Sequence, residues 1–209
     1  IKSPWRFFNP VVKQVPRPMN LVLKKDSGIK GFVVFSLNAK NFEAALNANM
    51  YVASYISKKI NNVNYMKEED ILMLIKEAID SEHEVTEFEL RIGVVFDNYN
   101  SGSKLYEYSD KKLNSEEQLE FVSKLIEKYG VCYVENPFKE GDLENYKTLF
   151  GNYKRICLVC MNSKINEYTK AMNKRAFNTL VVKFNDIADF KSNVDSFKQE
   201  SMNIIVDGI

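Results

Sequence analysis

Short apolar runs recur along the chain, separated by segments of helical periodicity. Within each run consecutive residues are apolar, without the alternation of a strand that is exposed on one face. Each run is therefore predicted to be a strand buried on both faces. The runs are Gly31–Ser36, Leu90–Phe96, Val131–Val134, Ile156–Cys160, Leu180–Phe184 and Asn203–Val206.

Between the runs, apolar residues recur at three- and four-residue steps, which predicts amphipathic helices. Asn38 or Asn41 can cap the first of them, and Ser115 opens another in the S-x-x-Q form of a capping box. The predicted helices are Phe42–Ile60, Glu68–Ser81, one from Ser115, Asp142–Phe150, Lys164–Lys174 and Ile187–Gln199. Strands and helices alternate from residue 88 onward, which indicates a parallel sheet covered by helices, either doubly wound or closed into a barrel.

Composition narrows the class of protein. Hydrophobic residues make up 45% and charged residues 27% of 209 residues, which excludes a disordered or coiled-coil chain. The 29 basic and 28 acidic residues leave a net charge of +1, so nothing favours nucleic acid or an anionic membrane, and no apolar stretch is long enough for membrane insertion. Three cysteines and no N-x-S/T sequon favour an intracellular location, in the cytoplasm or in a cytoplasmic, cytoskeletal or organellar assembly.

Three segments carry a resemblance. Val15–Asn20 is a proline-rich segment, Glu135-Asn-Pro-Phe follows a predicted strand, and Lys183 lies near the end of another, 48 residues after Glu135 (183 minus 135). In this order and at this spacing they resemble the enolase family. The resemblance implies an α/β fold, an enolase-type TIM barrel. It would be incomplete, with about seven of the usual eight strands, and would lack the family's N-terminal α+β domain. Residues 1–14 would be an extended segment and residues 15–209 the partial barrel.

The family removes water from 2-phosphoglycerate to give phosphoenolpyruvate. In it a lysine takes the proton and Mg²⁺ ions, held by carboxylates at strand ends, stabilise the intermediate. By resemblance Lys183 occupies the position of the base and Glu135 that of one metal ligand.

Other family positions are changed. The first metal aspartate corresponds to Gly93–Val95, with Asp97 two residues too far along. The third corresponds to Ile156–Cys160, which has no carboxylate. Gly31 replaces a glutamate, the general-acid loop is missing around Asn61–Met66, and Val206–Ile209 replaces the substrate motif. A positioned acid alone contributes about 10²–10⁴-fold, and a hard cation needs its oxygen ligands.

These changes favour a non-catalytic enolase-like protein, a pseudoenzyme that is a structural or interaction component of a larger assembly. Lys183 and Glu135 would then be vestigial, paired with each other across the rim, and no cofactor would be needed. Other protein chains would cover the open edge of the barrel. The alternatives are an active enolase that uses Mg²⁺ and 2-phosphoglycerate, and a module that binds a phosphorylated metabolite without turnover.

Two further features have simple explanations. Cys157 and Cys160 form a C-x-x-C, but residues three apart in a strand point to opposite faces, so two buried thiols are expected instead of a metal site. His83, the only histidine, is expected in a solvated loop.

Overall fold

A computed structural model describes residues 17–83, 88–161, 176–183 and 203–207. Within these residues seven strands form one sheet in the order β1-β2-β3-β7-β8-β9-β10. Its strands are β1 Met19–Lys24, β2 Ile29–Leu37, β3 Glu89–Phe96, β7 Val131–Glu135, β8 Leu158–Met161, β9 Thr179–Lys183 and β10 Asn203–Asp207. A second, small antiparallel sheet consists of β4 Tyr99–Asn100, β5 Leu105–Glu107 and β6 Lys112–Leu113.

Four helices lie between these strands in the described residues. They are α1 Phe42–Lys59, α2 Glu68–His83, α3 Ser115–Tyr129 and α4 Leu143–Tyr153, with a 3₁₀ turn at Val63–Tyr65. The side chain of Asn41 accepts a hydrogen bond from the backbone N–H of Ala44 at 2.8 Å. Asn41, not Asn38, therefore caps α1. None of the described helices is long and apolar enough to cross a lipid bilayer.

The sheet changes from antiparallel to parallel pairing along its width. β2 pairs antiparallel with both β1 and β3, and every pair from β3 to β10 is parallel. The first strands and two helices thus follow the β-β-α-α order, and the remaining strands follow the βα pattern that predicted a parallel sheet. Within the described residues β1 and β10 are not paired with each other, so the sheet is an unclosed barrel.

Two clusters of buried apolar residues lie on opposite sides of the sheet. The larger cluster packs between the strands and the helices, and Val34, Val94 and Val159 are among its fully buried members. The smaller one lies on the inner face and includes Val33, Tyr133, Cys160 and Val181. Met19 of β1 and Ile205 of β10 both pack against it. Because the first and last strands share this inner cluster, the sheet is curled.

Gly93 permits close packing on the inner face. A Cβ atom at this position would lie 2.7 Å from Cγ2 of Val33 and 2.8 Å from Cβ and Cδ1 of Tyr133. The pairing of β3 with β7 shifts register between Ile92 and Gly93, next to Cys132. The absent side chain of Gly93 therefore leaves the space in which the ring of Tyr133 lies.

A small network of hydrogen bonds fixes the end of the proline-rich segment at the start of β1. Asn49 of α1 is fully buried and donates to the carbonyl oxygen of Pro18 at 3.0 Å and to Oδ1 of Asn20 at 2.8 Å. The hydroxyl of Ser36 donates to Oδ1 of Asn49 at 3.0 Å. These bonds join β1, β2 and α1, so the asparagine that ends the proline-rich segment has a structural partner.

Several expectations about local structure were wrong. The cap of α3 is Asn114, which forms a capping box with Glu117, one residue before the predicted pair of Ser115 and Gln118. Strand β8 begins at Leu158 and not at Ile156, which is 61% exposed. Strand β4, Tyr99–Asn100, was not predicted. The predicted helices 164–174 and 187–199, and the segment 1–14, lie outside the described residues.

We predict that Gly93→Ala destabilises the protein by about 1–3 kcal/mol, because the added methyl group overpacks the inner cluster against Val33 and Tyr133. Gly151 is the matched control. It lies in α4, and a Cβ atom there would have nothing within 4 Å, so Gly151→Ala should stabilise the protein by about 0.5–1 kcal/mol. Urea unfolding followed by circular dichroism measures both free energies. Equal effects of the two substitutions would contradict the close approach.

Candidate functional site

The carboxyl ends of the parallel strands bring three residues side by side. Val95 of β3 is the register partner of Glu135 on β7, and Glu135 is the register partner of Cys160 on β8. By resemblance, the stretches that contain Val95 and Cys160 correspond to two metal aspartates of the enolase family. The structure places these stretches next to Glu135, where three neighbouring strand ends meet, and we call Val95, Glu135 and Cys160 the rim triplet.

Tyr133 forms a hydrogen bond with the carboxylate of Glu135. Its hydroxyl donates a hydrogen bond of 2.6 Å to Oε2 of Glu135, and its side chain is 1% exposed. Burial raises the pKa of the Tyr133 hydroxyl well above its ordinary value, and Cys160 and Glu135 raise it further. The hydroxyl therefore stays protonated and acts as a donor, and Glu135, which is half-buried, accepts its hydrogen bond beside the inner cluster.

Cys160 adds a neutral thiol to the rim triplet. It is fully buried, and this burial raises its pKa well above the ordinary value for a thiol. Cys157 is also buried but packs in the larger cluster on the helix side, whereas Cys160 packs in the inner cluster. The expectation that the two cysteines face opposite sides as free thiols is confirmed, although Cys157 precedes β8 and is not in it.

Two further residues lie near the rim triplet. Gly31 packs beside an apolar side chain, and Asp97 pairs with a residue on the surface. Gly31 is the register partner of Val95, and a Cβ atom there would lie 3.0 Å from Cδ1 of Leu21. Asp97 is exposed and forms an ion pair with the ammonium group of Lys30. A side chain at position 31 would require the half-exposed Leu21 to shift by a few tenths of an ångström, and Asp97 has its ion-pair partner on the protein surface.

Lys183 is the last residue of β9 and the register partner of Asp207 at the end of β10. The backbone thus places Lys183 at the carboxyl end of its strand, and its correspondence to the family's base stays a prediction. Its side chain lies outside the described part of the structure, so its pairing with Glu135 stays a prediction. His83 was expected in a loop, but it is the last residue of α2.

The described residues of the rim do not fit a Mg²⁺ ion held by three strand-end carboxylates. Mg²⁺ requires near-octahedral coordination by oxygen, and the rim triplet offers one carboxylate between an isopropyl group and a protonated thiol. Across the described ranges, no group of three or more His, Cys, Asp or Glu residues is arranged to hold a metal ion.

Comparison with known proteins identifies the family. The sequence profile of the enolase C-terminal TIM barrel domain matches residues 29–204, which is most of the chain. The chain belongs to the enolase family. Its fold is accordingly that of the enolase barrel domain, here seen as an unclosed sheet.

Individual relatives are distant and longer. The enolase of Archaeoglobus fulgidus is 26% identical over 199 residues, covering 83% of this chain and 49% of the relative. That of Sulfurisphaera tokodaii is 24% identical, covering 94% and 54%, and that of Halorubrum lacusprofundi is 23% identical, covering 64% and 35%. This enolase-family chain thus spans about half, or less, of the length of the curated relatives it matches.

Glu135 was recognisable from the sequence, but its partner was missed. Tyr133 precedes Glu135 by two residues in the same strand, and residues two apart in a strand share a face. That spacing was a usable signal. The spacing did not reveal that Gly93, on the neighbouring strand β3, leaves space for the Tyr133 ring. That space allows the Tyr133 hydroxyl to donate to the carboxylate of Glu135.

We predict that Tyr133→Phe destabilises the protein by about 1.5–3 kcal/mol, because it removes the hydrogen bond that the buried Tyr133 hydroxyl donates to a charged group. Tyr153→Phe is the control. The Tyr153 hydroxyl donates to Oε1 of Glu127 at 2.5 Å, but on the exposed surface, so its loss should cost less than about 0.5 kcal/mol. Denaturant unfolding measures both, and a Tyr133→Phe variant as stable as Tyr153→Phe would contradict the assigned role.

Proposed function

We propose that this enolase-family chain is non-catalytic and is a structural or interaction component of a larger assembly. The observation that carries the proposal is the rim triplet. At three adjacent strand ends the chain presents Val95, Glu135 and Cys160, and the one carboxylate accepts a hydrogen bond from Tyr133.

The rim triplet argues against the chemistry of the family. Removing a proton next to a carboxylate creates a dianion, and a cation must compensate its charge. The rim triplet offers a single carboxylate for that cation, and by resemblance Gly31 stands where the family has a glutamate. Even if Lys183 were placed to take the proton, the resulting intermediate would not be stabilised.

The proposed activity test is a turnover assay of the full chain with 2-phosphoglycerate and millimolar Mg²⁺, followed by the absorbance of phosphoenolpyruvate. We expect no turnover above the blank without protein, because the missing acid alone removes about 10²–10⁴-fold. Lys183→Ala should be indistinguishable from the unmodified chain.

Two results would change the conclusion. Turnover that depends on Mg²⁺ and disappears in Lys183→Ala would establish the alternative, an active enolase whose ligands come from residues outside the rim triplet. Heat of binding on titration with phosphoenolpyruvate, without turnover, would instead indicate a module that holds a phosphorylated metabolite.

The interaction role is supported by the sheet edges. Within the described residues β1 pairs only with β2 and β10 only with β9, and unpaired strand edges attract further strands. We propose that other protein chains cover these edges and that the assembly is intracellular. Neither nucleic acid nor membrane insertion is part of the proposal.

Hydrogen exchange of the isolated, monomeric chain tests the proposed cover. Amide groups of β1 and β10 that point away from β2 and β9 should exchange quickly, because no neighbouring strand among the described residues accepts their hydrogen bonds, while the amides of β3 and β7 in the middle of the sheet should be protected. Protection of both edges in the monomer would show that the chain covers its own edges, and the proposed partner would then be unnecessary.

A further inference from the structure

The exposed apolar side chains of the described residues are concentrated on two neighbouring helices. Seven large apolar residues are exposed in this part of the chain, and five of them belong to α1, α2 and the turn between these helices: Phe42, Met50, Tyr51, Tyr65 and Met73. None of the seven lies in α3 or α4. Because exposed apolar groups that gather on one part of a surface mark protein contacts, the outer side of α1 and α2 is a candidate contact surface.

One face of α1 is exposed from its first turn to its last. The exposed residues on this face recur at steps of four, three, one, three and four residues, which places them along one side of a helix. We call this set the α1 stripe, and its members are Glu43, Asn47, Met50, Tyr51, Ser54 and Lys58. The buried residues of α1 lie on the other side of the helix: Ala45, Ala48, Asn49, Val52 and Ile56.

The α1 stripe is complementary to itself when its direction is reversed. It divides into three pairs centred on the same point of the helix, midway between residues 50 and 51: Glu43 with Lys58, Asn47 with Ser54, and Met50 with Tyr51. The outer pair has opposite charges, the next pair has small polar groups, and the central pair has large apolar side chains. A two-fold axis through this midpoint would bring each residue opposite its pair partner in a second copy of the helix.

The charged ends of the stripe are available for contacts with another molecule. Among the described residues, the ion pairs include neither Glu43 nor Lys58. The next residue, Lys59, differs, because its ammonium group donates to Oε1 of Glu77 in α2 at 2.6 Å and lies 4.5 Å from the centre of the Tyr55 ring. Lys59 is thus used within the chain, whereas Lys58 remains for a partner.

The centre of the stripe offers an apolar contact of defined shape. Met50 is 54% exposed and Tyr51 is 40% exposed. The Tyr51 hydroxyl lies 3.4 Å from Oγ of Ser81 in α2, and its ring centre lies 6.4 Å from that of Tyr55. These contacts position the Tyr51 ring beside α2. Methionine and tyrosine are both enriched at the centres of protein interfaces.

We propose that the α1 stripe is the contact surface of a homodimer, in which α1 packs antiparallel against α1 of a second copy of this chain. The two-fold axis passes between Met50 and Tyr51. Antiparallel helices that cross at about 20° stay close over several turns, so Glu43 of each copy meets Lys58 of the other. Each pair of opposite charges therefore occurs twice in the dimer, as an isologous interface requires.

The charge pattern selects both the partner and its direction. A parallel arrangement would place Glu43 against Glu43 and Lys58 against Lys58, which is repulsive at both ends. An unrelated partner would not require the three pairs of the stripe to share one centre, whereas a second copy does. The inference goes beyond the proposed cover of the sheet edges because it concerns a different surface, and it does not depend on whether the chain is an enzyme.

Sedimentation equilibrium of the 209-residue chain over a range of concentrations tests the dimer, whose mass would be twice 24.2 kDa. We expect Glu43→Lys and Lys58→Glu each to raise the Kd of the dimer roughly tenfold, because each reversal turns two attractive exposed pairs into two repulsive ones. A chain with both reversals should return to within about threefold of the unmodified Kd, since the pairs form again with opposite sign. Lys147→Glu, at an exposed position of α4, is the matched control and should leave the Kd unchanged.

Disulfide cross-linking tests the antiparallel arrangement even if a charge reversal disturbs folding. A mixture of Asn47→Cys and Ser54→Cys chains should cross-link on mild oxidation much faster than either variant alone, with the unmodified chain as the blank. A chain that stays monomeric up to millimolar concentration would overturn the proposal. So would a dimer whose Kd is the same in Glu43→Lys as in Lys147→Glu, or one in which Asn47→Cys cross-links with itself as fast as with Ser54→Cys.

Discussion

The ring of Tyr133 on the inner face of the sheet is the constraint on which the site depends. It fills the space over Gly93, and a ring in that position carries its hydroxyl into a region without solvent. A buried hydroxyl needs an acceptor, and Glu135, two residues along the same strand, supplies it at 2.6 Å. The packing of Tyr133 in the interior and the hydrogen bonding of the Glu135 carboxylate therefore depend on each other.

The parallel register determines which residues of the neighbouring strands lie beside Glu135. Because parallel strands align their carboxyl ends, Val95 and Cys160 lie on either side of Glu135. In a family whose chemistry requires several oxygen ligands at such positions, an aliphatic side chain and a protonated thiol instead extend the inner cluster toward the rim. Glu135 is held by Tyr133, and its role in this arrangement follows from packing.

Much of this arrangement could be predicted from local patterns, and the errors have identifiable causes. The apolar runs located β2, β3 and β7 to within two residues, because a strand buried on both faces leaves a continuous apolar signature. The cap of α3 was misplaced by one residue because Asn114 and Ser115 are both good caps, and only the bonds to Glu116 and Glu117 distinguish them. The small sheet β4–β6 was missed because its strands are two or three residues long, too short for any periodicity.

The sequence by itself determined the family, the order of strands and helices, and the absence of carboxylates in the stretches beside Glu135, since these depend on residue identity and spacing along the chain. Only the tertiary structure decided which residues meet. Register between strands made Val95 and Cys160 the neighbours of Glu135, and the missing side chain of Gly93 let Tyr133 reach that carboxylate. Such contacts depend on packing between residues distant in sequence, which no local pattern encodes.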